Sequence, residues 1–339
     1  MTFNTAYLLK QLAAGPSVNG GRYVIAYSGG MDSHVLLYAM AQVSERLNAQ
    51  IMVVHVDHGV SDHAQSWAQH CQHVCHQLGI AIEVATVRVD TTRASLENEL
   101  RSARYQVFEQ QLAERDVLLL AHHADDQVET VLQRLLRGSG AKGSAGMPHT
   151  RPIGRGSLFR PLIAVSRAEL KEYADREGLR WIEDESNSNE VFDRNYIRHR
   201  LMPVLEQRWP GCRKTLLRHA RINREVDQSL DFFLHREIEK LQWHDRALDI
   251  SQLQHYERSV QLNLVRHWIA SKHLSLPGYV HLCQILSELV DAKEDAQPLI
   301  RWGDVRVRRY KNKLYADQAL PSHDTGQAID WRVHDALES

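Results

Sequence analysis

The chain has 339 residues, of which 43% are hydrophobic and 24% charged, as in an ordinary soluble protein of about two domains. This balance excludes a disordered chain, a collagen and a small disulfide-bonded scaffold. No apolar run approaches the roughly 20 residues of a membrane-spanning helix, and residues 1–15 lack the apolar segment of a secretory signal. Cys71, Cys75, Cys212 and Cys283 are too few for a disulfide framework, so we expect free thiols and a cytoplasmic protein.

The net charge of −1 hides a strong separation of sign along the chain. Residues 133–160 carry six Lys or Arg and no Asp or Glu, residues 193–225 carry nine against three, and residues 301–313 carry six against one. Because the rest of the chain is acidic, these basic stretches would attract a polyanion to particular surfaces, and nucleic acid is the first candidate. Solvated helix faces are the alternative explanation of the same pattern.

The first 137 residues alternate apolar, β-rich runs with helical patterns. Strands are predicted at 23–27, 51–56, 82–89 and 117–122, and helices at 32–47, 64–78, 95–115 and 124–137. Apolar strands separated by helices indicate a parallel sheet covered on both faces, which is a doubly wound α/β fold. Ligands of such sheets bind beyond the carboxyl ends of the strands, so we expect the functional residues in the loops after Tyr27, Val56, Val89 and His122.

The rest of the chain has a mostly helical pattern. Residues 138–156 hold six glycines and two prolines, which predicts a mobile surface loop. Helices are predicted at 165–178 and 213–240, with two or three more between 249 and 290. Alternation after residue 301 predicts a small hairpin or edge strand that presents Arg306, Arg308 and Arg309. The predicted domains are 1–137, 138–220 and 221–320, with 321–339 a weakly structured tail or the start of a missing module.

A candidate anion-binding loop lies between the first predicted strand and the first predicted helix. Its glycines allow a sharp turn close to an anion, its serines add hydroxyl donors, and the amides at the helix start attract phosphate. Asp32 would repel phosphate unless Mg²⁺ lies between them, so the loop predicts an ATP site with Asp32 as the magnesium ligand. It lacks the lysine of a Walker loop, and a plain capped turn is the alternative. The loop residues are Ser28, Gly29, Gly30, Met31, Asp32 and Ser33.

An acidic pair follows the fourth predicted strand. Asp126 and Glu129 are spaced i, i+3 near the start of a helix, which puts both carboxylates on one face at the ligand-binding edge. This pair suits a cationic amine, and carboxylates favoured there by the helix dipole are the alternative. On the preceding helix, Arg101 and Arg104 share a face that could reach a nucleotide or a carboxylate, or could be simply exposed.

These motifs resemble those of a known family. The SGGMDS loop is similar to the PP-loop of the N-type ATP pyrophosphatases. Further stretches resemble the tRNA(Ile)-lysidine synthetase family, over roughly residues 20–225 and, more loosely, 250–315: HVDHG (55–59), SLENELRSARY (95–105), AHHADDQVET (121–130), RGSGAKG (137–143), FRPL (159–162) and WIEDESNSNEVFDRNYIRHRLMPVL (181–205). The resemblance implies a PP-loop ATP pyrophosphatase core in 1–137, the remainder of the catalytic domain in 138–220 and a helical tRNA-binding domain in 221–320.

The resemblance implies an ATP-dependent carbon–nitrogen ligase. In that family ATP adenylates the C2 oxygen of the first-anticodon cytidine of CAU-anticodon tRNA(Ile), and free lysine then replaces AMP to give lysidine. By this similarity Asp126 and Glu129 recognise lysine, Asp32 and Arg104 join them in catalysis, and His122 and Asp125 support them. We expect the basic stretches to contact tRNA. Whether the protein forms a homodimer is left open by the sequence. The expected tRNA-binding residues are Arg137, Lys142, Arg194, Arg198 and Arg308.

Rival functions make different demands on the sequence. A PP-loop tRNA sulfurtransferase would need activated cysteines or an iron–sulfur cluster, which four scattered cysteines do not match. A small-molecule synthetase would not explain three basic stretches, and an inactive RNA-binding module would not need Asp32, Asp126 and Glu129. Zinc at Cys71 and Cys75 is disfavoured because the usual CxxC spacing is missing.

Overall fold

The structure is a computed structural model that describes residues 2–47, 49–59, 63–87, 96–183, 192–241, 246–292 and 298–318. Its residues fall into two compact units that divide between Val226 and Asp227. The predicted tail at 321–339 and part of the 181–205 motif, residues 184–191, lie outside the described residues. Within these ranges, no helix is both long and apolar enough to cross a bilayer.

A six-stranded sheet forms the centre of the first unit, in the order β3-β2-β1-β4-β6-β5. All neighbours pair parallel except β5, which runs antiparallel to β6. The predicted parallel α/β sheet is confirmed, and the antiparallel edge strand was not predicted. The carboxyl ends of β1, β2, β3, β4 and β6 therefore lie at one edge. The strands are β1 (Arg22–Ala26), β2 (Gln50–Asp57), β3 (Ala81–Thr86), β4 (Val117–Leu119), β5 (Thr150–Ile153) and β6 (Gly156–Phe159).

Helices cover both faces of this sheet. On β1, Ile25 packs in the same core as Val35 and Leu36, whereas its neighbour Val24 packs with Phe108 on the other face. Burial on both faces explains why the strands are apolar throughout. The helices are α1 (Thr5–Ala14), α2 (Met31–Val43), α3 (Ala64–Gln77), α4 (Leu96–Gln111), α5 (Ala124–Leu136), α6 (Ala141–Ser144), α7 (Arg167–Arg176), α8 (Asp193–Tyr196), a π-helical turn (Ile197–Leu201), α9 (Met202–Arg208) and α10 (Cys212–Leu241), with a 3₁₀ turn at Ser44–Arg46.

Residues 138–156 form defined structure, so the prediction of a mobile surface loop is wrong. They include α6 and β5, and β5 forms a hairpin with β6. The Gln127 side chain accepts from the Met147 amide at 2.6 Å and donates to its carbonyl at 2.9 Å. A Cβ atom at Gly146 would lie 2.6 Å from Gln127 Oε1. The glycine here reflects close packing rather than mobility.

The second unit combines helices with a four-stranded antiparallel sheet in the order β7-β10-β9-β8. The predicted helices and the predicted small β element after residue 301 are confirmed, whereas the pairing with β7 was not predicted. One core of buried side chains joins its helices to this sheet. Its helices are α11 (Ile250–Leu253), α12 (Arg258–Ser271) and α13 (Tyr279–Gln284), which continues as a π-helix (Ile285–Val290). Its strands are β7 (Leu248–Asp249), β8 (Leu299–Trp302), β9 (Val305–Tyr310) and β10 (Lys313–Gln318).

Arg309 is buried, so the prediction that it is presented at the surface with Arg306 and Arg308 is wrong. Residues 305, 307 and 309 share the inward face of β9, and Arg309 is 5% exposed. Its guanidinium group donates to the carbonyl oxygens that end the π-helix, which have no partner within it. The acceptors of Nη1 are Leu289 at 2.9 Å, Val290 at 3.1 Å and Ala292 at 2.7 Å.

We expect Arg309→Ala to lower the free energy of unfolding by about 1 to 3 kcal/mol, because it leaves buried carbonyl oxygens without donors. The matched control is Arg308→Ala, next to it on the exposed face of β9, which should change stability by less than about 0.5 kcal/mol. Urea unfolding followed by tryptophan fluorescence measures both variants. Equal destabilisation by the two would contradict the capping role.

Candidate functional site

The loop after β1 forms a turn held by its own hydrogen bonds. The Ser28 amide donates to Ser33 Oγ at 3.2 Å, and Ser33 Oγ donates to the Gly30 carbonyl at 3.0 Å. Gly29 has φ +85°, the left-handed conformation that favours glycine. Gly30 has φ −74° and precedes α2, which begins at Met31 and includes Asp32 and Ser33. The amides of the first turn of a helix have no intrahelical partner, so they can face an anion here.

The two glycines of this loop differ in what surrounds them. A Cβ atom at Gly29 would lie 2.6 Å from Ile182 Cδ1 and 3.2 Å from Cys71 Sγ. The Ile182 amide also donates to the Gly29 carbonyl at 3.0 Å. At Gly30 the nearest atom to an added Cβ is Ser28 Oγ at 3.5 Å, an ordinary contact. Gly29 is therefore required by the fold, whereas the absence of a side chain at Gly30 leaves room beside the loop.

Asp32 carries an unused acceptor. Its Oδ2 lies 3.5 Å from His123 Nε2, and its Oδ1 is buried without a hydrogen-bond partner among the residues that the structure describes. Buried polar atoms nearly always have a partner, so this oxygen is suited to a group from outside the chain. Carboxylate oxygen is the ligand that Mg²⁺ prefers, and the residues present therefore fit a magnesium ion at Asp32.

His123 joins the loop to the acidic pair. It precedes α5 and is 1% exposed. Its Nε2 lies 3.5 Å from Asp32 Oδ2 and 3.5 Å from Asp126 Oδ2, and its amide donates to Asp126 Oδ2 at 2.9 Å. Burial acts to lower the pKa of His123, but Asp126, Asp32 and Asp125 outweigh it and raise that pKa. One buried imidazole thus links carboxylates at the starts of α2 and α5.

Two arginines bind the acidic pair. Arg194 donates from Nη2 to Asp126 Oδ1 at 2.5 Å and from Nε to Glu129 Oε2 at 2.6 Å. Arg198 donates from Nε to Glu129 Oε1 at 2.6 Å and from Nη2 to Glu129 Oε2 at 3.0 Å. Burial acts to raise the pKa of Asp126, but His123 and Arg194 outweigh it and hold that pKa at about 2. Two guanidinium charges therefore balance two buried carboxylates.

The arginine pair comes from a distant part of the sequence. Arg194 lies on α8 and Arg198 on the following π-helical turn, so a spacing of four residues puts them on one face. Sequence reasoning assigned both to tRNA binding, and it missed their contact with Asp126 and Glu129. The only sign of this contact in the sequence was that a basic pair spaced i, i+4 could match an acidic pair spaced i, i+3 in charge and spacing. Contact with tRNA stays a prediction for both, and it would compete with these ion pairs.

The other predicted residues contact groups other than Asp126 and Glu129. Arg104 donates from Nε to His58 Nε2 at 3.3 Å, just beyond β2. Burial, followed by the charge of Arg104, lowers the pKa of His58 to about 4. Three predicted tRNA contacts are exposed, which is what phosphate binding requires. These are Arg137, which donates to Asp193 at 2.7 Å, Lys142 on α6, and Arg308, whose guanidinium lies 5.4 Å from the centre of the Tyr315 ring.

Polar residues at the carboxyl ends of β2 and β4, among them the predicted supporting residues His122 and Asp125, hold backbone and neighbouring side chains in place. His55 Nδ1 donates to the Tyr27 carbonyl at 2.9 Å, and Asp57 accepts from the Gly59 amide at 2.8 Å. Asp125 accepts from the Arg167 amide at 2.8 Å and from the Arg213 guanidinium group. The polar side chains at these strand ends therefore bind neighbouring groups of the chain and are not a set of metal ligands. His122 Nδ1 accepts from Arg160 Nε at 3.2 Å.

The cysteines do not form a metal or sulfur-transfer site in the described part of the chain. No group of three or more His, Cys, Asp or Glu there could hold a metal ion. Cys71 and Cys75 are buried free thiols, and burial raises the pKa of each to about 12. A thiol that stays protonated is a poor nucleophile.

A solved structure shares the fold. The chain is similar to U34-tRNA thiolase NcsA from Methanococcus maripaludis, which carries a [4Fe-4S] cluster, with a TM-score of 0.53 and 17% sequence identity. The match covers 65% of this chain and 77% of that one. At this identity the likeness shows the PP-loop fold alone.

Family models and curated relatives identify the chain. A PP-loop domain model matches residues 1–205, and a TilS substrate-binding domain model matches residues 248–315. The tRNA(Ile)-lysidine synthase of Coxiella burnetii is 37% identical over 94% of this chain, that of Yersinia pseudotuberculosis 38% over 86%, and that of Legionella pneumophila strain Paris 36% over 92%. The chain spans 71%, 65% and 72% of the lengths of these relatives. It belongs to the tRNA(Ile)-lysidine synthase family, whose members are ATP-using PP-loop ligases.

Proposed function

We propose that this chain ligates free L-lysine to C2 of the first-anticodon cytidine of CAU-anticodon tRNA(Ile) in the cytoplasm, converting ATP to AMP and pyrophosphate. The observation that carries this proposal is the position of His123, whose Nε2 lies 3.5 Å from both Asp32 of the loop and Asp126 of the acidic pair. An anion-binding loop and a cation-binding pair at one sheet edge suit a reaction in which ATP activates the cytidine and an amine then attacks it.

In the first step, the C2 oxygen of cytidine attacks the α-phosphorus of ATP, and pyrophosphate leaves. The amides at the start of α2 and the hydroxyl groups of Ser28 and Ser33 would bind the phosphate oxygens. Magnesium held by Asp32 would neutralise charge between that carboxylate and the phosphates. The room beside Gly30 is where the phosphate would approach the backbone.

In the second step, the ε-amine of lysine attacks C2, the C2–O bond breaks, and AMP leaves with the oxygen as the amine loses a proton. Asp126 and Glu129 would bind a lysine ammonium group. Because Arg194 and Arg198 already balance both carboxylates, an incoming ammonium group would replace one guanidinium group rather than meet a bare acidic pair.

The alternative is a PP-loop tRNA sulfurtransferase or another adenylating tRNA-modifying enzyme. Its support is the fold shared with the archaeal thiolase. The buried, protonated thiols of Cys71 and Cys75 disfavour it, because sulfur transfer needs thiolates or an iron–sulfur cluster. The ligase reaction needs neither.

Separate measurements of the two products test the proposal. With ATP, Mg²⁺ and CAU-anticodon tRNA(Ile), we expect pyrophosphate release without lysine and AMP release only after lysine is added. AMP release that depends on a sulfur donor instead of lysine would establish the alternative. No release of either product would reject adenylation altogether.

Asp32→Asn should reduce pyrophosphate release more than tenfold and shift its Mg²⁺ dependence to higher concentration, because the amide is a weaker magnesium ligand. Stability should change little, since this side chain is 32% exposed. Asp175→Asn, an exposed carboxylate on α7, is the control and should match the parent. Turnover of Asp32→Asn within tenfold of the parent would refute the assigned role.

Substitutions at Gly29 and Gly30 should separate folding from phosphate binding. Gly29→Ala should destabilise the protein by about 1 to 2 kcal/mol, because alanine disfavours positive φ and its Cβ meets Ile182. Gly30→Val should keep the melting temperature and weaken ATP binding, because its side chain would fill the room beside the loop. Normal ATP affinity in Gly30→Val, measured by calorimetry, would count against the phosphate site.

Glu129→Gln should raise the KM for lysine about tenfold to a hundredfold, which corresponds to losing a charge-assisted hydrogen bond of about 1.5 to 3 kcal/mol. Pyrophosphate release should persist, and high lysine should partly restore product. Asp193→Asn removes a nearby but exposed carboxylate and should leave the KM for lysine unchanged. A normal KM for lysine with defective pyrophosphate release would move Glu129 to the ATP site.

A further inference from the structure

A cluster of positive charge lies where α4 meets β5 and the end of β6. The guanidinium group of Arg101, on α4, lies 5.3 Å from the centre of the Tyr105 ring, and that of Arg151, on β5, lies 5.0 Å from the same centre. Arg160, which directly follows β6, is the third member. We call Arg101, Arg151 and Arg160 the Tyr105 arginine cluster.

Among the described residues, the cluster has no acidic counterion. Arg160 is 2% exposed, and its guanidinium group donates to His122 Nδ1 at 3.2 Å and to the Pro148 carbonyl at 2.7 Å. None of the three arginines has a described carboxylate oxygen within 4.0 Å. Grouped guanidinium charges repel each other, and a bound anion would remove that repulsion.

The charges act on one another. Burial has the largest effect on the pKa of Arg160 and lowers it, Tyr105 has the next largest effect and raises it, and the charges of Arg151 and Arg101 lower it further. Burial also lowers the pKa of His122 to about 3, with Arg160 and Arg101 contributing, so that imidazole is neutral. A neutral His122 can accept from Arg160 and adds no competing charge. The positive charge of the arginines is therefore available to an anion from outside the chain.

The cluster adjoins the reaction centre. His122, which accepts from Arg160, directly precedes His123, whose Nε2 is 3.5 Å from Asp32 and from Asp126. Strands lie about 4.8 Å apart, and β6 and β5 are two and three strands from β1, so these two strands lie roughly 10 to 14 Å from the strand that carries the phosphate loop. The cluster is therefore on different elements from the phosphate loop.

We infer that the Tyr105 arginine cluster binds a backbone phosphate of the RNA next to the reacting cytidine, through Arg101 and Arg151 at the surface with Arg160 behind them. This inference rests on the proposed function, because RNA phosphates come to the site together with the cytidine that reacts there. Arginine binds phosphate oxygens in bidentate geometry, and each of these two guanidinium groups is at least partly exposed. The site thus positions the nucleotide and does not take part in bond changes.

Arg151→Ala and Arg101→Ala test the inference, with Arg155→Ala as the matched control. Arg155 is an exposed arginine at the turn of the same β5–β6 hairpin, at the opposite end from Arg151. Binding of a CAU-anticodon stem-loop RNA is measured by fluorescence anisotropy at several salt concentrations. We expect each cluster variant to raise the Kd about tenfold and to reduce the log–log salt slope by about 0.7 to 0.9, and the control to change neither.

Kinetic measurements on the same proteins distinguish other anions. The KM values for ATP and lysine should stay within about twofold of the parent. A raised KM for lysine with normal RNA binding would assign the cluster to the lysine carboxylate, and a raised KM for ATP would assign it to ATP; either result overturns the inference. Equal effects of Arg155→Ala and Arg151→Ala would also overturn it, since they would reflect net charge alone.

The binding measurement separates failure of this inference from failure of the proposed function. If the parent forms no lysidine but the cluster variants still lose RNA affinity and salt slope, the proposed function fails and the phosphate site stands. If the parent forms lysidine and the variants bind RNA normally, the phosphate site fails alone. Should Arg151→Ala unfold, as judged by circular dichroism, the exposed Arg101→Ala carries the same test.

Discussion

The candidate site depends on one buried imidazole shared by carboxylates from two helices. His123 is enclosed at the carboxyl end of β4 and lies within 3.7 Å of Asp32, Asp125 and Asp126. A buried histidine with such partners holds the starts of α2 and α5 next to each other, because both helices supply a carboxylate from their first turn. The phosphate loop and the acidic pair are therefore held at one edge as a unit. Under the proposed function, this geometry would bring ATP and the lysine amine to the same cytidine.

The same need for charge balance organises the layer around this imidazole. Burying Asp126 and Glu129 is unfavourable unless cations accompany them, and Arg194 and Arg198 supply those charges. The Tyr105 arginine cluster shows the reverse situation, with cations buried or stacked and no carboxylate beside them among the described residues. The balanced pair is suited to exchange one cation for another, whereas the unbalanced cluster is suited to gain an anion. Together they suit two substrates, one that brings a phosphate and one that brings an amine.

Much of this arrangement could be predicted from the sequence because its signals are local. The strand-loop-helix position of residues 28–33 and the i, i+3 spacing of Asp126 and Glu129 follow from short-range patterns. The contacts of Arg194 could not be predicted, since its partners lie 65 and 68 residues away. Glycine-rich residues 138–156 have the composition of a loop. Their edge strand could not be predicted from composition, because it forms only by pairing with β6. The inward position of Arg309 could have been predicted, because it lies on the same face of the strand as Val305 and Val307.

If the loop and the acidic pair act together in one ligation, the modified nucleoside itself can be detected. The decisive measurement is mass analysis of nucleosides from CAU-anticodon tRNA(Ile) after incubation with the protein, ATP, Mg²⁺ and isotopically labelled lysine. We expect a new nucleoside in which cytidine has exchanged one oxygen for the amine nitrogen of labelled lysine. Unmodified cytidine, or a nucleoside that carries sulfur in place of that oxygen, would contradict it.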